Sequence, residues 1–147
     1  MMKIFTLIII LLLIANESAI ASDRFVTKIE LPSGQTVIVS EGEHEARSIG
    51  SFSIRLYQAA PAGDETTFFI SGLIDARDGF IEKVILDDIN GDEKLEVIVV
   101  IRSVGTGGYL SAHAFTIDKQ QLILSSTVEG LQSAADPVAA LSESVSR

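Results

Sequence analysis

Oxygen-bearing side chains recur along residues 88–96, which read Asp-Ile-Asn-Gly-Asp-Glu-Lys-Leu-Glu. Hard cations such as Ca²⁺ bind clustered carboxylate and amide oxygens, and this order partly matches the calcium loops written D-x-[DN]-x-D-G. The match is incomplete, because Glu93 stands where the last glycine of that pattern belongs. We favour a turn in which Asp88 and Asn90 hydrogen-bond to nearby backbone, with a calcium site as the alternative. The ligands of that site would be Asp88, Asn90, Asp92 and Glu96.

A second segment of interest runs from Val99 to Ala112 and joins an apolar stretch to a glycine-rich corner. Its three glycines tolerate backbone angles that side chains forbid, so the corner is able to project from the protein. Thr106 and Tyr109 are its main polar and aromatic groups. The pattern alone fits an ordinary hairpin turn or a probe that enters the cleft of another protein.

Groups suited to covalent or acid–base catalysis are few. The chain has no cysteine, and His44 and His113 lie neither beside a serine motif nor at metal-ligand spacing. Carboxylates are plentiful, but nothing in the sequence brings two of them together as a glycosidase requires. Residues 105–108 do not form a phosphate-binding loop, since no lysine or helix start follows them. We predict that the protein is not an enzyme.

The segment from Phe69 to Phe115 places an Asp-rich turn, a long apolar strand and the sequence Thr-Gly-Gly-Tyr in succession. In this order it resembles the periplasmic inhibitors of invertebrate-type (I-type) lysozyme, small exported bacterial proteins that block a host muramidase. That family carries a Ser-Gly-x-Tyr loop, which enters the active cleft of the lysozyme. The matching positions are Thr106, Gly107, Gly108 and Tyr109. Threonine in place of serine keeps the hydroxyl, adds a methyl group and stiffens χ1.

The resemblance implies an inhibitor that acts by occluding the muramidase and needs no cofactor. It implies lysozyme contacts from the four loop residues, and it makes a homodimer an expectation. We expect Arg102 and Ser111 to be further lysozyme contacts, although an exposed arginine on a strand is usually only solvated. Arg77 is a further candidate for a partner contact. A rival hypothesis is a calcium-stabilised structural or adhesion module of the cell envelope that uses the loop from Asp88 to Glu96. A third, an enzyme acting on envelope polysaccharide, rests only on export and the abundance of acids.

The N-terminal residues have the pattern of a secretory signal. Lys3 precedes the apolar run from Ile4 to Ala15, and Ala19-Ile20-Ala21 supplies small residues at the expected cleavage positions. We therefore expect a signal peptide over residues 1–21 and one domain over 22–147, with a tail from about residue 126 that is less ordered. The absence of cysteine excludes a lipidated N-terminus and a disulfide framework. A soluble periplasmic product with no membrane attachment after cleavage is the prediction.

The formal net charge is −9, from 11 basic and 20 acidic residues. Such a balance repels nucleic acid and anionic lipid, and it attracts a cationic partner over a distance that salt shortens. Acidity also keeps a small domain soluble, so the charge alone identifies no partner.

Short β-branched segments separated by proline and glycine predict a mainly antiparallel all-β fold, a sandwich or flattened barrel with a minor helical element. The run Val97–Ile101 is apolar on both alternating faces and is expected to be a central buried strand. Residues 139–145 form a short helix or a mobile end. The predicted strands cover residues 25–31, 35–40, 48–58, 66–74, 80–86, 96–104, 109–116 and 121–124, with the fourth and fifth paired through a turn at 75–79.

Overall fold

The computed structural model describes residues 23–64 and 67–147, so the predicted signal peptide and the predicted start of the fourth strand at residue 66 lie outside it. Two antiparallel sheets of four strands face each other, which confirms the predicted β-sandwich. Their orders are β1-β2-β3-β4 and β5-β6-β7-β8, called here the first and second sheets. The elements are β1 Val26–Glu30, β2 Thr36–Glu41, β3 Ile49–Tyr57, β4 Phe69–Asp78, β5 Phe80–Asp87, β6 Glu96–Arg102, β7 Leu110–Asp118, β8 Gln121–Leu131 and helix α1 Pro137–Val145.

The predicted pairing of β4 with β5 is wrong, because these strands belong to different sheets. β4 keeps pairing with β3 until Asp78 lies opposite Ile49. Only Gly79 then separates β4 from β5, and a hairpin needs about two connecting residues or more. Gly79 has φ +123°, a backbone conformation that residues with a side chain rarely adopt. The chain passes from one sheet to the other at this residue.

The central position predicted for the apolar run is confirmed, since every residue of β6 before Arg102 is buried. Val97, Val99 and Ile101 pack between the two sheets together with Phe52 and Phe115, whose rings meet edge to face 6.0 Å apart. Ile98 and Val100 point to the opposite face of the second sheet. That face has a hydrophobic cluster of its own, so both sides of β6 are shielded from water.

Helix α1 covers this second cluster. Asp136 caps its first turn by accepting hydrogen bonds from the backbone N–H groups of Val138 and Ala139, and Pro137 occupies the first helical position. Leu141 is fully buried against the sheet. The helical alternative for residues 139–145 is thereby confirmed, while β8 continues to Leu131, past the predicted end at residue 124. In the described part of the chain, no helix is long and apolar enough to cross a bilayer.

Polar side chains also tie the sheets together. The buried carboxylate of Glu41 on β2 accepts a hydrogen bond of 2.7 Å from the backbone N–H of Ile81 on β5. At the other edge, the N–H of Leu122 donates to Ser71 Oγ at 3.1 Å. Both bonds satisfy groups that burial would otherwise penalise, and they fix the sheets in register with each other.

Candidate functional site

The glycine-rich corner forms a seven-residue loop, residues 103–109, between β6 and β7. Its base is closed by a hydrogen bond of 2.9 Å from the N–H of Ser103 to the carbonyl of Tyr109. Its tip is closed by a bond of 3.0 Å from the N–H of Gly108 to the carbonyl of Gly105. This second bond defines a β-turn with Thr106 and Gly107 at the corner. Thr106 is therefore displayed, exposed, at the end of a loop that is closed twice.

The ring of Tyr109 lies against Gly107. A Cβ atom added to Gly107 would collide with several atoms of that ring, so the aromatic side chain occupies the space that a side chain at position 107 would need. Tyr109 nevertheless remains 48 % exposed. The hydroxyl of Thr106 and the ring of Tyr109 thus belong to one exposed surface, with Gly107 between them.

Gly108 adopts φ +53°, in the left-handed region where residues other than glycine are strained. Its carbonyl accepts a hydrogen bond of 2.8 Å from Arg102 Nη1, and the same nitrogen lies 3.4 Å from the carbonyl of Ser133. Arg102 Nε donates to the carboxylate of Glu82 on β5. The guanidinium that the sequence analysis assigned to lysozyme therefore has partners within the chain, and its contact with lysozyme stays a prediction.

The hydrogen bond from Arg102 lowers the pKa of Glu82 below its ordinary value of about 4.5, and the bond to Glu82 raises the pKa of Arg102. Both groups are accordingly charged at neutral pH. Because the folded pKa of Glu82 is depressed, the contribution of this pair to stability is present above pH 4.5 and is lost as the pH falls through the folded value.

The loop base also packs against Gly79. A Cβ atom there would strike the carbonyl group of Arg102 and the Cα of Ser103, so glycine is required by both its conformation and its neighbours. Sequence reasoning placed Gly79 in a hairpin turn and did not connect it with the loop. It also missed Glu82, although Ile81 and Val84 both pack toward the core and are three positions apart, which breaks the strand period of two.

Two cavities include residues of the loop in their lining. One, of about 540 Å³, is lined by Ser103, Tyr109 and Ser111 together with His113 and Asp75. His113 on β7 and Asp75 on β4 approach to 2.9 Å and link the sheets. The other, of about 470 Å³, is lined by Val104 and the start of β5. The loop therefore contributes to both cavities, and Ser111 contributes to the first of them.

Arg77, a further candidate for a partner contact, is fully buried, so its side chain is inaccessible to another protein. It donates to the carbonyls of Ser51, Arg47, Ala46 and Gly79. His44 lies exposed in the connection between β2 and β3, far in the chain from the loop.

The Asp-rich segment folds as the favoured turn. Asp88 accepts from the N–H groups of Gly91, Asp92 and Glu93, at 2.8, 3.2 and 2.7 Å. Partial burial alone would raise the pKa of Asp88, but these bonds outweigh it and lower the pKa. The Oδ1 atom of Asn90 accepts from the N–H of Asp92 at 2.9 Å.

The buried carboxylate of Glu96 faces the same turn and accepts a bond of 3.0 Å from the N–H of Ile89. Within residues 23–64 and 67–147, no cluster of three or more acidic, histidine or cysteine side chains has the arrangement of a metal site. Calcium binding stays a prediction, which calorimetry with Ca²⁺ and with EDTA tests. The segment lies at the opposite end of β6 from the 103–109 loop, so the two motifs do not form one site.

Residues 23–145 match the model of a protein family described as periplasmic lysozyme inhibitor of I-type lysozyme. A comparison with curated proteins gave no match.

Two solved structures are similar to the chain. The first is the crystal structure of PliI-Ah, the periplasmic lysozyme inhibitor of I-type lysozyme from Aeromonas hydrophila, with 46 % identity and a TM-score of 0.74 over 80 % of this chain and 98 % of that one. The second is Aeromonas hydrophila PliI in complex with Meretrix lusoria lysozyme, with 45 % identity and a TM-score of 0.73 over 80 % of this chain and 94 % of that one.

Proposed function

Because the chain belongs to the family of periplasmic lysozyme inhibitors of I-type lysozyme, we propose that it blocks such a lysozyme by inserting the 103–109 loop into the active cleft. The protein is an inhibitor and not an enzyme, and its partner is a lysozyme. The observation that carries the proposed mode of binding is the twice-closed loop, which presents Thr106 and Tyr109 on one exposed surface.

The chemistry of the target suits these two side chains. A retaining muramidase holds a carboxylic acid and a second carboxylate along an open groove. The hydroxyl of Thr106 donates a hydrogen bond to one of these carboxyl groups, and the ring of Tyr109 supplies rigid area that keeps the sugar chain out. The two cavities beside the loop leave room for the residues that line the lysozyme groove. The net charge of −9 speeds association with any lysozyme whose own net charge is positive.

A muramidase assay with lysozymes of the invertebrate, chicken and goose types tests this function. The protein beginning at residue 22 is expected to protect the cell wall against the invertebrate type selectively. Equal protection against all three types, or against none, would contradict the assignment. A crystal structure of the complex in which the loop faces solvent would contradict the proposed mode of binding.

Replacing Gly107 by alanine is expected to weaken inhibition about tenfold or more, which corresponds to about 1.4 kcal/mol of binding free energy. The added methyl group displaces the ring of Tyr109 from the position in which the loop presents it. Dissociation constants from titration calorimetry measure the effect. Gly105→Ala is the matched control, since a Cβ atom at that position meets open space. Equal affinity of the two variants would show that the ring position is unimportant.

A further inference from the structure

We propose that Arg102 is a positioning residue, which Glu82 holds in place so that the 103–109 loop has its inhibiting shape before it meets lysozyme. This inference rests on the proposed function, because it assigns a role in that function to two residues outside the loop. It differs from the sequence-based expectation, in which Arg102 contacts lysozyme directly.

The loop needs such support. Three of its seven residues are glycines, which have more conformational freedom to lose than any other residue. A loop that adopts the bound shape for only a fraction of the time binds with an affinity reduced by that fraction. The two backbone hydrogen bonds that close the loop leave the peptide unit between Gly108 and Tyr109 to be fixed by other groups.

Arg102 holds this peptide unit in place. Its Nη1 atom donates to the carbonyl of Gly108 at 2.8 Å, and this carbonyl belongs to the peptide unit that leads into Tyr109. The same nitrogen lies within reach of the carbonyl of Ser133, in the segment after β8. Hydrogen bonds from a charged guanidinium are stronger than those between neutral groups, and its planar fork holds several partners in one geometry.

The position of Glu82 results from a β-bulge. In the ladder between β5 and β6, Ile81 lies opposite Ile101 and Lys83 lies opposite Val100, so Glu82 is an extra residue with no partner of its own. Bulges of this kind redirect a side chain, and here the redirected carboxylate pairs with Arg102. The ion pair directs Nε of the guanidinium toward β5 and leaves Nη1 facing the loop.

Tyrosine fluorescence gives a test without lysozyme. The protein has two tyrosines and no tryptophan, and Tyr57→Phe leaves Tyr109 as the only tyrosine. In this background, Glu82→Gln and Arg102→Lys are expected to lower the fluorescence anisotropy of Tyr109, because the ring gains freedom. Glu30→Gln is the control, since it removes one exposed carboxylate at the end of β1, far from the 103–109 loop. An unchanged anisotropy in both variants would overturn the inference.

Binding kinetics give the second test. Glu82→Gln and Arg102→Lys are expected to slow association with I-type lysozyme about fivefold, because fewer molecules hold the bound shape. Glu30→Gln changes the net charge by the same amount as Glu82→Gln and is expected to have less effect, while Arg102→Lys leaves the net charge unchanged. In a protein that already carries Thr106→Ala and Tyr109→Ala, substitution at position 102 is expected to have no further effect.

Direct contact predicts a different pattern, and it would overturn the inference: the anisotropy of Tyr109 is then unchanged by substitution at position 102, and the effect of Arg102→Gln on binding persists in the Thr106→Ala/Tyr109→Ala background. The proposed loop insertion fails by a different result, which is full inhibition by Thr106→Ala/Tyr109→Ala, and the inhibitor function fails if the unsubstituted protein does not inhibit I-type lysozyme. The two failures are therefore distinguishable.

Discussion

Replacing Thr106 and Tyr109 together by alanine is expected to lower the affinity for I-type lysozyme roughly 100-fold or more. Both side chains are exposed, and truncation of a hot-spot residue at the centre of an interface costs about 2 kcal/mol or more, which is the effect expected if the loop fills the cleft. Neither side chain supplies the backbone hydrogen bonds that close the loop. The melting temperature is therefore expected to change by only about 2 °C. Inhibition constants and calorimetric melting curves of the same preparations measure both quantities.

Two conservative variants separate the contributions. Thr106→Ser keeps the hydroxyl and is expected to inhibit like the unsubstituted protein, whereas Tyr109→Phe keeps most of the ring area and is expected to retain most of the inhibition. If the double alanine variant inhibits fully while it remains folded, the loop has no part in the mechanism.

Replacing Arg77 by glutamine is expected to lower the free energy of unfolding by about 3 kcal/mol or more. The guanidinium is buried and donates to four backbone carbonyls, three of them in the residues between β2 and the middle of β3 and one at Gly79. Glutamine is too short to reach them, so buried acceptors are left without this donor. Urea unfolding followed by far-UV circular dichroism measures the loss.

Arg47→Gln provides the matched control, because it makes the same exchange at an exposed arginine, whose Nη2 atom donates to the carbonyl of Asp23. Its effect is expected to stay within about 0.5 kcal/mol. A loss at Arg77 no larger than that at Arg47 would contradict the role assigned to the buried guanidinium.

Hydrophobic patterning was sufficient to predict the architecture. The apolar run in β6 is hydrophobic on both alternating faces, a pattern typical of a strand that is covered on both sides. In the structure, the first sheet covers one face of β6 and α1 covers the other. The glycine spacing likewise predicted a corner at 105–108.

Features that depend on contacts between distant residues were not predictable in this way. Arginine is usually a surface residue. The burial of Arg77 depends on backbone carbonyls that accept its hydrogen bonds, and three of these lie 26 or more positions earlier in the chain. The passage of the chain from the first sheet to the second at Gly79 was not predicted, because a glycine that follows aspartate residues is also typical of a hairpin turn. The bulge at Glu82 did leave a signal, the three-residue spacing of Ile81 and Val84, but its pairing with Arg102 depends on the ladder register.

The turn at the tip of the loop is built from main-chain atoms of Gly105 and Gly108, while the side chain at position 106 points away from the fold. A library that randomises this single codon would therefore sample new target preferences on an unchanged scaffold. Selection of such a library against several muramidases would then compare variants that differ in the side chain at position 106 and share the same fold.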